Sequence, residues 1–134
     1  MAVARTEKLP VQASEDIVRV RQVVRAWAVE LSFNLVDQTK IVTAASELAR
    51  NTVIYGGGGT VELEWLVEGA RRGLRLTFAD QGPGIADVEQ ALRDGFTTGT
   101  GLGLGLGGAR RLSNEFEVRS QPGAGTVVRI TRWT

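Results

Sequence analysis

Glu47 and Asn51 stand four residues apart in a segment with helical spacing, so their side chains share one face of a helix. A carboxylate can act as a general base, and an amide oxygen is a hard ligand suited to Mg²⁺. Ala44 beside them leaves room for a ligand. Such a pair alone is ordinarily a solvated helix face. This one is set apart by an asparagine, a weak helix former, placed shortly before the glycines Gly56 to Gly59. Asp80 ends an apolar strand and directly precedes Gln81-Gly82-Pro83-Gly84-Ile85. Its carboxylate can accept a hydrogen bond from an exocyclic amine such as that of adenine, and the glycines let backbone approach a flat ring. The plainer alternative is an Asp-x-Gly turn after a strand. The third feature is the run Gly101-Leu102-Gly103-Leu104-Gly105-Leu106-Gly107-Gly108. Glycines opening a helix expose its first N–H groups, which form a phosphate cradle.

Several familiar nucleotide motifs are excluded. Gly103-x-Gly105-x-x-Gly108 matches the dinucleotide fingerprint, but no strand immediately precedes it and only 26 residues follow Gly108. Lys8 and Lys40 are the only lysines and neither follows a glycine, which rules out a Walker A loop. The strand lysine and His-Arg-Asp loop of the large protein kinases are also missing. A flexible linker is the bland reading of the glycine run, yet linkers are Gly/Ser-rich and this run alternates glycine with leucine.

The elements that must position these groups can be read from periodicity. Residues 5–12, with Pro10 among them, predict a short edge strand. Ser14 is the expected cap of a first helix carrying Glu15 and Asp16 in its first turn and the stripe Ile17, Val20, Val24, Trp27 and Leu31. Asp37 is the expected cap of a second helix through Ile54, with Ile41, Ala45, Leu48 and Thr52 on one face and its end at Tyr55. Val61, Leu63, Trp65 and Val67 alternate with glutamates, and Leu74, Leu76 and Phe78 return toward Asp80 after a turn at residues 69–73. A short helix over residues 87–93 is expected. Another should start within the Gly/Leu run and end near Ser113-Asn114. Phe116, Val118, Val128 and Ile130 then form a hairpin around residues 122–125. This order predicts an α+β fold, a two-layer sandwich with helices on one face of a mixed, mostly antiparallel sheet.

Composition narrows the chemistry. The 134 residues contain no Cys and no His, which excludes thiolate nucleophiles, disulfides, a Ser-His-Asp triad, the usual zinc sites and a phosphohistidine. A net charge of +1 gives no electrostatic case for nucleic acid or an anionic membrane. No apolar stretch approaches the roughly 20 residues of a membrane span, so one cytoplasmic domain over residues 1–134 is the expectation.

Taken together, Glu47-Leu-Ala-Arg-Asn51, Asp80-Gln-Gly-Pro-Gly-Ile85 and Gly101 through Gly108 resemble, in order and spacing, the N, G1 and G2 boxes of the GHKL ATPase/kinase superfamily, whose ATP-binding domain is the Bergerat fold. Gly125-Thr126 resembles its final threonine motif. Ser46 to Asn51, Gly101 to Leu106 and Arg111 to Glu117 are similar to the RsbT-type serine/threonine kinases of bacterial partner switching and the stressosome. The resemblance implies that Asn51 holds Mg²⁺ on the ATP phosphates and that Glu47 is the base or orienter for an attacking hydroxyl. It implies that Asp80 binds the adenine amine with Gly82, Gly84 and Thr126 completing the base pocket, and that Gly101, Gly103, Gly105 and Gly107 line the phosphate site. Residues 86–100 would be a short ATP lid in which Thr97 and Thr98 could reach phosphate. Tyr55 departs from the His of many superfamily members, a change found in the RsbT-type branch. The implied substrates are STAS-domain antagonist and scaffold proteins, and the implied further partner is a PP2C-type phosphatase. An anti-sigma factor of the same superfamily is the alternative. Arg19, Arg21 and Arg25, or Arg110 and Arg111, are candidate partner contacts, although exposed helical arginines are usually just solvated.

Overall fold

The computed structural model describes residues 1–85 and 104–134. Five strands, β1 (Ala2–Val11), β2 (Gly59–Glu68), β3 (Arg71–Asp80), β4 (Glu115–Ser120) and β5 (Thr126–Trp133), form one sheet in the order β1-β2-β3-β5-β4. Every neighbouring pair is antiparallel, so the described sheet has none of the parallel pairing that "mixed" would require. The helices are α1 (Ser14–Glu30), α2 (Leu35–Ile54) and α3 (Leu104–Arg111). The helix expected over residues 87–93 lies outside the described residues.

Side-chain alternation decides which sheet face the helices cover. Leu9, Val11, Val61, Leu63, Leu74, Leu76, Phe78, Val128 and Ile130 are buried in one core with Val20, Val24 and Trp27 of α1 and Ile41 and Leu48 of α2. Ala44, Ala45 and Ala49 are fully buried, and these small residues let α2 approach its neighbours α1 and α3 closely. Trp27, 1% exposed, donates its indole N–H to Glu7 at 3.3 Å, so the largest core side chain leaves no polar atom stranded.

Four local expectations are corrected. β1 runs ten residues, because an edge strand needs only main-chain pairing with β2 and tolerates the exposed side chains of Ala2 to Arg5. Pro10 sits within it, as an edge permits. Ser14 is the first residue of α1 rather than its cap. Ala13 occupies the cap position, and the Asp16 carboxylate accepts the N–H groups of Gln12 and Ala13. Asn34, not Asp37, caps α2 by accepting the Asp37 N–H at 2.8 Å. Asp37 is instead engaged at 2.6 Å by Arg132, which also donates to the Leu112 carbonyl and so ties β5 to the start of α2 and the end of α3. The turn between β2 and β3 is just Gly69-Ala70, with Glu68 paired to Arg71.

The other sheet face carries charge. Arg75 donates two hydrogen bonds to Glu64, at 2.8 and 3.0 Å, on neighbouring strands. These bonds, chiefly, hold the Glu64 carboxyl below its ordinary range; burial opposes them, and the charges of Arg75 and Arg129 reinforce them. A carboxyl depressed on folding stabilises the native state above its unfolded pKa, and that stabilisation is lost as pH falls through the folded value. Wild type is therefore expected to lose more unfolding free energy than Glu64→Gln below about pH 4.5, near the unperturbed carboxylate value. Urea titrations at stepped pH read the difference, and identical pH profiles would contradict it.

Candidate nucleotide site

α2, β3, β5 and α3 meet at a cavity of about 230 Å³. Leu48, Phe78, Ile85, Leu106 and Val128 give it apolar walls, and Asn51, Thr52, Tyr55, Asp80 and Thr126 bring polar groups to it. An apolar slot with a few fixed polar groups is the usual form of a small-ligand site.

Asp80 is the last residue of β3 and lies opposite Thr126 in the ladder. Its Oδ1 accepts two backbone N–H groups, from Gly82 at 2.9 Å and from Thr126 at 3.2 Å. The carboxylate is thereby oriented, and among the described residues no donor is found for its other oxygen. Gly56 makes this geometry possible, because a Cβ there would run into the Asp80 carboxyl group and stand 2.6 Å from Oδ2. Gly82 supports Asp80 from behind rather than lining the cavity. Gly84 does line it, at φ 77, where a Cβ would be both strained and driven into the Gln121 carbonyl. The 81–85 loop is stapled to the β4–β5 hairpin by Gly123 N–H to the Pro83 carbonyl, 2.6 Å, and by Ile85 N–H to Ser120 Oγ, 2.7 Å.

Asn51 lines the cavity, and its carboxamide nitrogen is buried with no hydrogen-bond partner among the described residues. An unpaired buried amide is costly unless something else satisfies it, which fits a wall that a ligand completes. Glu47 lies one turn earlier on α2, half-buried and outside the cavity lining. Gly105 and Gly107 lie near the start of α3 as described. Gly101, Gly103, Thr97, Thr98 and the lid span lie outside the described residues.

Sequence reasoning missed Ser120 and did not assign Tyr55 to the pocket. Tyr55 was detectable, since an aromatic between a helix end and a glycine run is well placed to meet a ligand. Ser120 carried no signal beyond a polar residue at a strand end. Among the described residues, no group of three or more acidic side chains could hold a metal unaided, and no helix is long and apolar enough to cross a membrane.

Residues 11–132 match the family described as "Histidine kinase-like ATPase domain", so the chain belongs to that family and to the GHKL superfamily around it, whose nucleotide is ATP. The fold agrees: the crystal structure of the RsbU and RsbW domains of a Mycobacterium tuberculosis protein superposes with a TM-score of 0.66 at 21% identity, over 96% of this chain and 32% of that one. Within the superfamily the chain is a protein serine/threonine kinase of the RsbT type. It is 46% identical over 118 residues to "Serine/threonine-protein kinase RsbT" of Bacillus subtilis (strain 168), covering 88% of this chain and 89% of that protein. It is also 33% identical over 119 residues to "Anti-sigma F factor" of Thermoanaerobacter sp. (strain X514), covering 84% of this chain and 82% of the relative.

Proposed function

We propose that residues 1–134 act as one ATP-binding kinase domain in a bacterial stress-response partner-switching module. With Mg-ATP it phosphorylates Ser or Thr of STAS-domain antagonist and scaffold proteins, and once released it binds and activates a PP2C-type phosphatase. The observation that carries the nucleotide reading is the Asp80 carboxylate, held through one oxygen by two backbone N–H groups beside an apolar slot. It anchors the adenine amine, with Gly82, Gly84 and Thr126 shaping the base pocket. Gly101, Gly103, Gly105 and Gly107 supply backbone to the phosphates.

The Asn51 carboxamide nitrogen, without a partner among the described residues, is a donor that a phosphate oxygen would complete, which leaves the Asn51 oxygen to face Mg²⁺, an ion that commonly binds through one or two protein groups plus phosphates and water. When bound, Mg²⁺ neutralises charge on the transferred phosphoryl group. Asn51 would hold that ion, and Glu47 orients the acceptor hydroxyl or takes its proton. The rest of catalysis is positioning, because phosphoryl transfer asks little covalent chemistry of the protein.

Incubating the chain with Mg-ATP and a purified STAS antagonist should yield phosphoserine or phosphothreonine on the antagonist. No transfer to any STAS partner would reject the kinase–antagonist pairing. Similarity to an anti-sigma factor supports a second reading, in which the chain sequesters a sigma subunit and phosphorylates its antagonist. Capture of a sigma subunit in preference to a phosphatase would favour that reading.

A further inference from the structure

We infer that Ser120, the last residue of β4, is a positioning residue that sets the purine preference of the cavity by fixing where the Thr126 hydroxyl sends its proton. The inference rests on the reading of Asp80 as the adenine anchor. Ser120 Oγ has three neighbours. It accepts the Ile85 N–H at 2.7 Å, lies 2.8 Å from Thr126 Oγ1, and lies 3.1 Å from the Gly125 carbonyl oxygen. A hydroxyl has one proton and two lone pairs. The Ile85 N–H can only donate and the Gly125 carbonyl can only accept. One arrangement satisfies all of them: Ser120 donates to Gly125, and Thr126 donates to Ser120. The reverse, Ser120 donating to Thr126, gives up the Ser120 hydrogen bond to the Gly125 carbonyl.

With Ser120 saturated, the single Thr126 proton is committed away from the cavity, and Thr126 offers lone pairs to it. Asp80 stands directly opposite in the ladder, with Oδ1 occupied by the N–H groups of Gly82 and Thr126 itself. The polar corner of the slot is therefore made of acceptors. That corner suits a 6-amino purine, whose exocyclic nitrogen brings two N–H groups. A 6-oxo purine would set its O6 against lone pairs where adenine places its amine and would bring the single N1–H as its donor there, the kind of mismatch that discriminates strongly.

Calorimetric affinities for ATP and for ITP, its 6-oxo counterpart, test this in the full chain, Ser120→Ala, Thr126→Val and the double variant. Without Ser120 the Thr126 hydroxyl is free to rotate and donate into the slot. The ATP:ITP affinity ratio is expected to fall roughly five- to tenfold, a scale typical of one hydrogen bond. Thr126→Val, nearly isosteric and still offering its N–H to Asp80, should lower the ratio similarly. The double variant should lower it no further than the larger single change, since both act through one hydroxyl. Parallel weakening of ATP and ITP in Ser120→Ala would mean Ser120 merely supports the loop, and would overturn the inference. If Ser120→Ala fails to fold, an unchanged ratio in Thr126→Val overturns it equally. A wild-type chain that binds ATP tightly but without preference over ITP defeats this inference while leaving the ATP site standing. One that binds no ATP defeats the reading beneath it.

Discussion

Glu47→Gln is expected to lower phosphoryl transfer from ATP to a STAS substrate by roughly 10²- to 10⁴-fold, the range that general-base catalysis commonly supplies. Glutamine keeps the length and volume of the side chain but takes up no proton near neutral pH. ATP affinity should stay within about threefold of wild type, below the factor that 1.4 kcal/mol would produce. The structural reason is location: Glu47 stands one helical turn from Asn51 and does not line the cavity. Single-turnover transfer and calorimetric binding, measured on the same preparation, separate the two effects. Transfer at the wild-type rate would remove Glu47 from the mechanism. A matching loss of binding and transfer would instead assign it to the nucleotide site.

Asp80→Asn should act in the opposite sense, weakening ATP binding itself by roughly 10²-fold or more. The amide oxygen can still accept the N–H groups of Gly82 and Thr126, so the loop geometry has reason to persist. What changes is the other terminus, where a carboxylate oxygen becomes an NH₂ donor facing the amine donor of adenine. Two donors cannot pair, and at a partly buried site the unpaired group carries its full desolvation cost. The same change favours a 6-oxo purine, so ITP should lose far less affinity than ATP. Thermal melts confirm folding and calorimetry reads affinity. Undiminished ATP binding by Asp80→Asn would contradict the adenine assignment.

Much of this architecture was legible because local pattern and tertiary role coincide. The apolar stripe through Ile41, Ala45, Leu48 and Thr52 is the buried face of α2, and the alternation through Val61 and Leu63 is the core face of β2. Helix starts were less legible where two capping residues compete. Asn34 and Asp37 lie three apart and both are good caps. The choice is consistent with Arg132, 95 residues away in the chain, which pairs with Asp37. The length of β1 was equally hidden, since main-chain pairing to β2 leaves little trace in exposed side chains.

For the site, the sequence by itself determined the inventory: one helix with Glu47 and Asn51, an aspartate at a strand end, glycines on both sides of it, and no Cys or His. Short-range spacing sufficed for that, because helix and strand periods are local properties of the chain. The tertiary structure alone decided how those groups face one another. It brought Gly56 against Asp80, gave one Asp80 oxygen to the N–H groups of Gly82 and Thr126, and set Ser120 between Ile85 and Thr126. These contacts join residues far apart in sequence across a sheet whose strand order is not chain order. The direction of a single hydroxyl proton there depends on every neighbour at once, which local spacing does not encode.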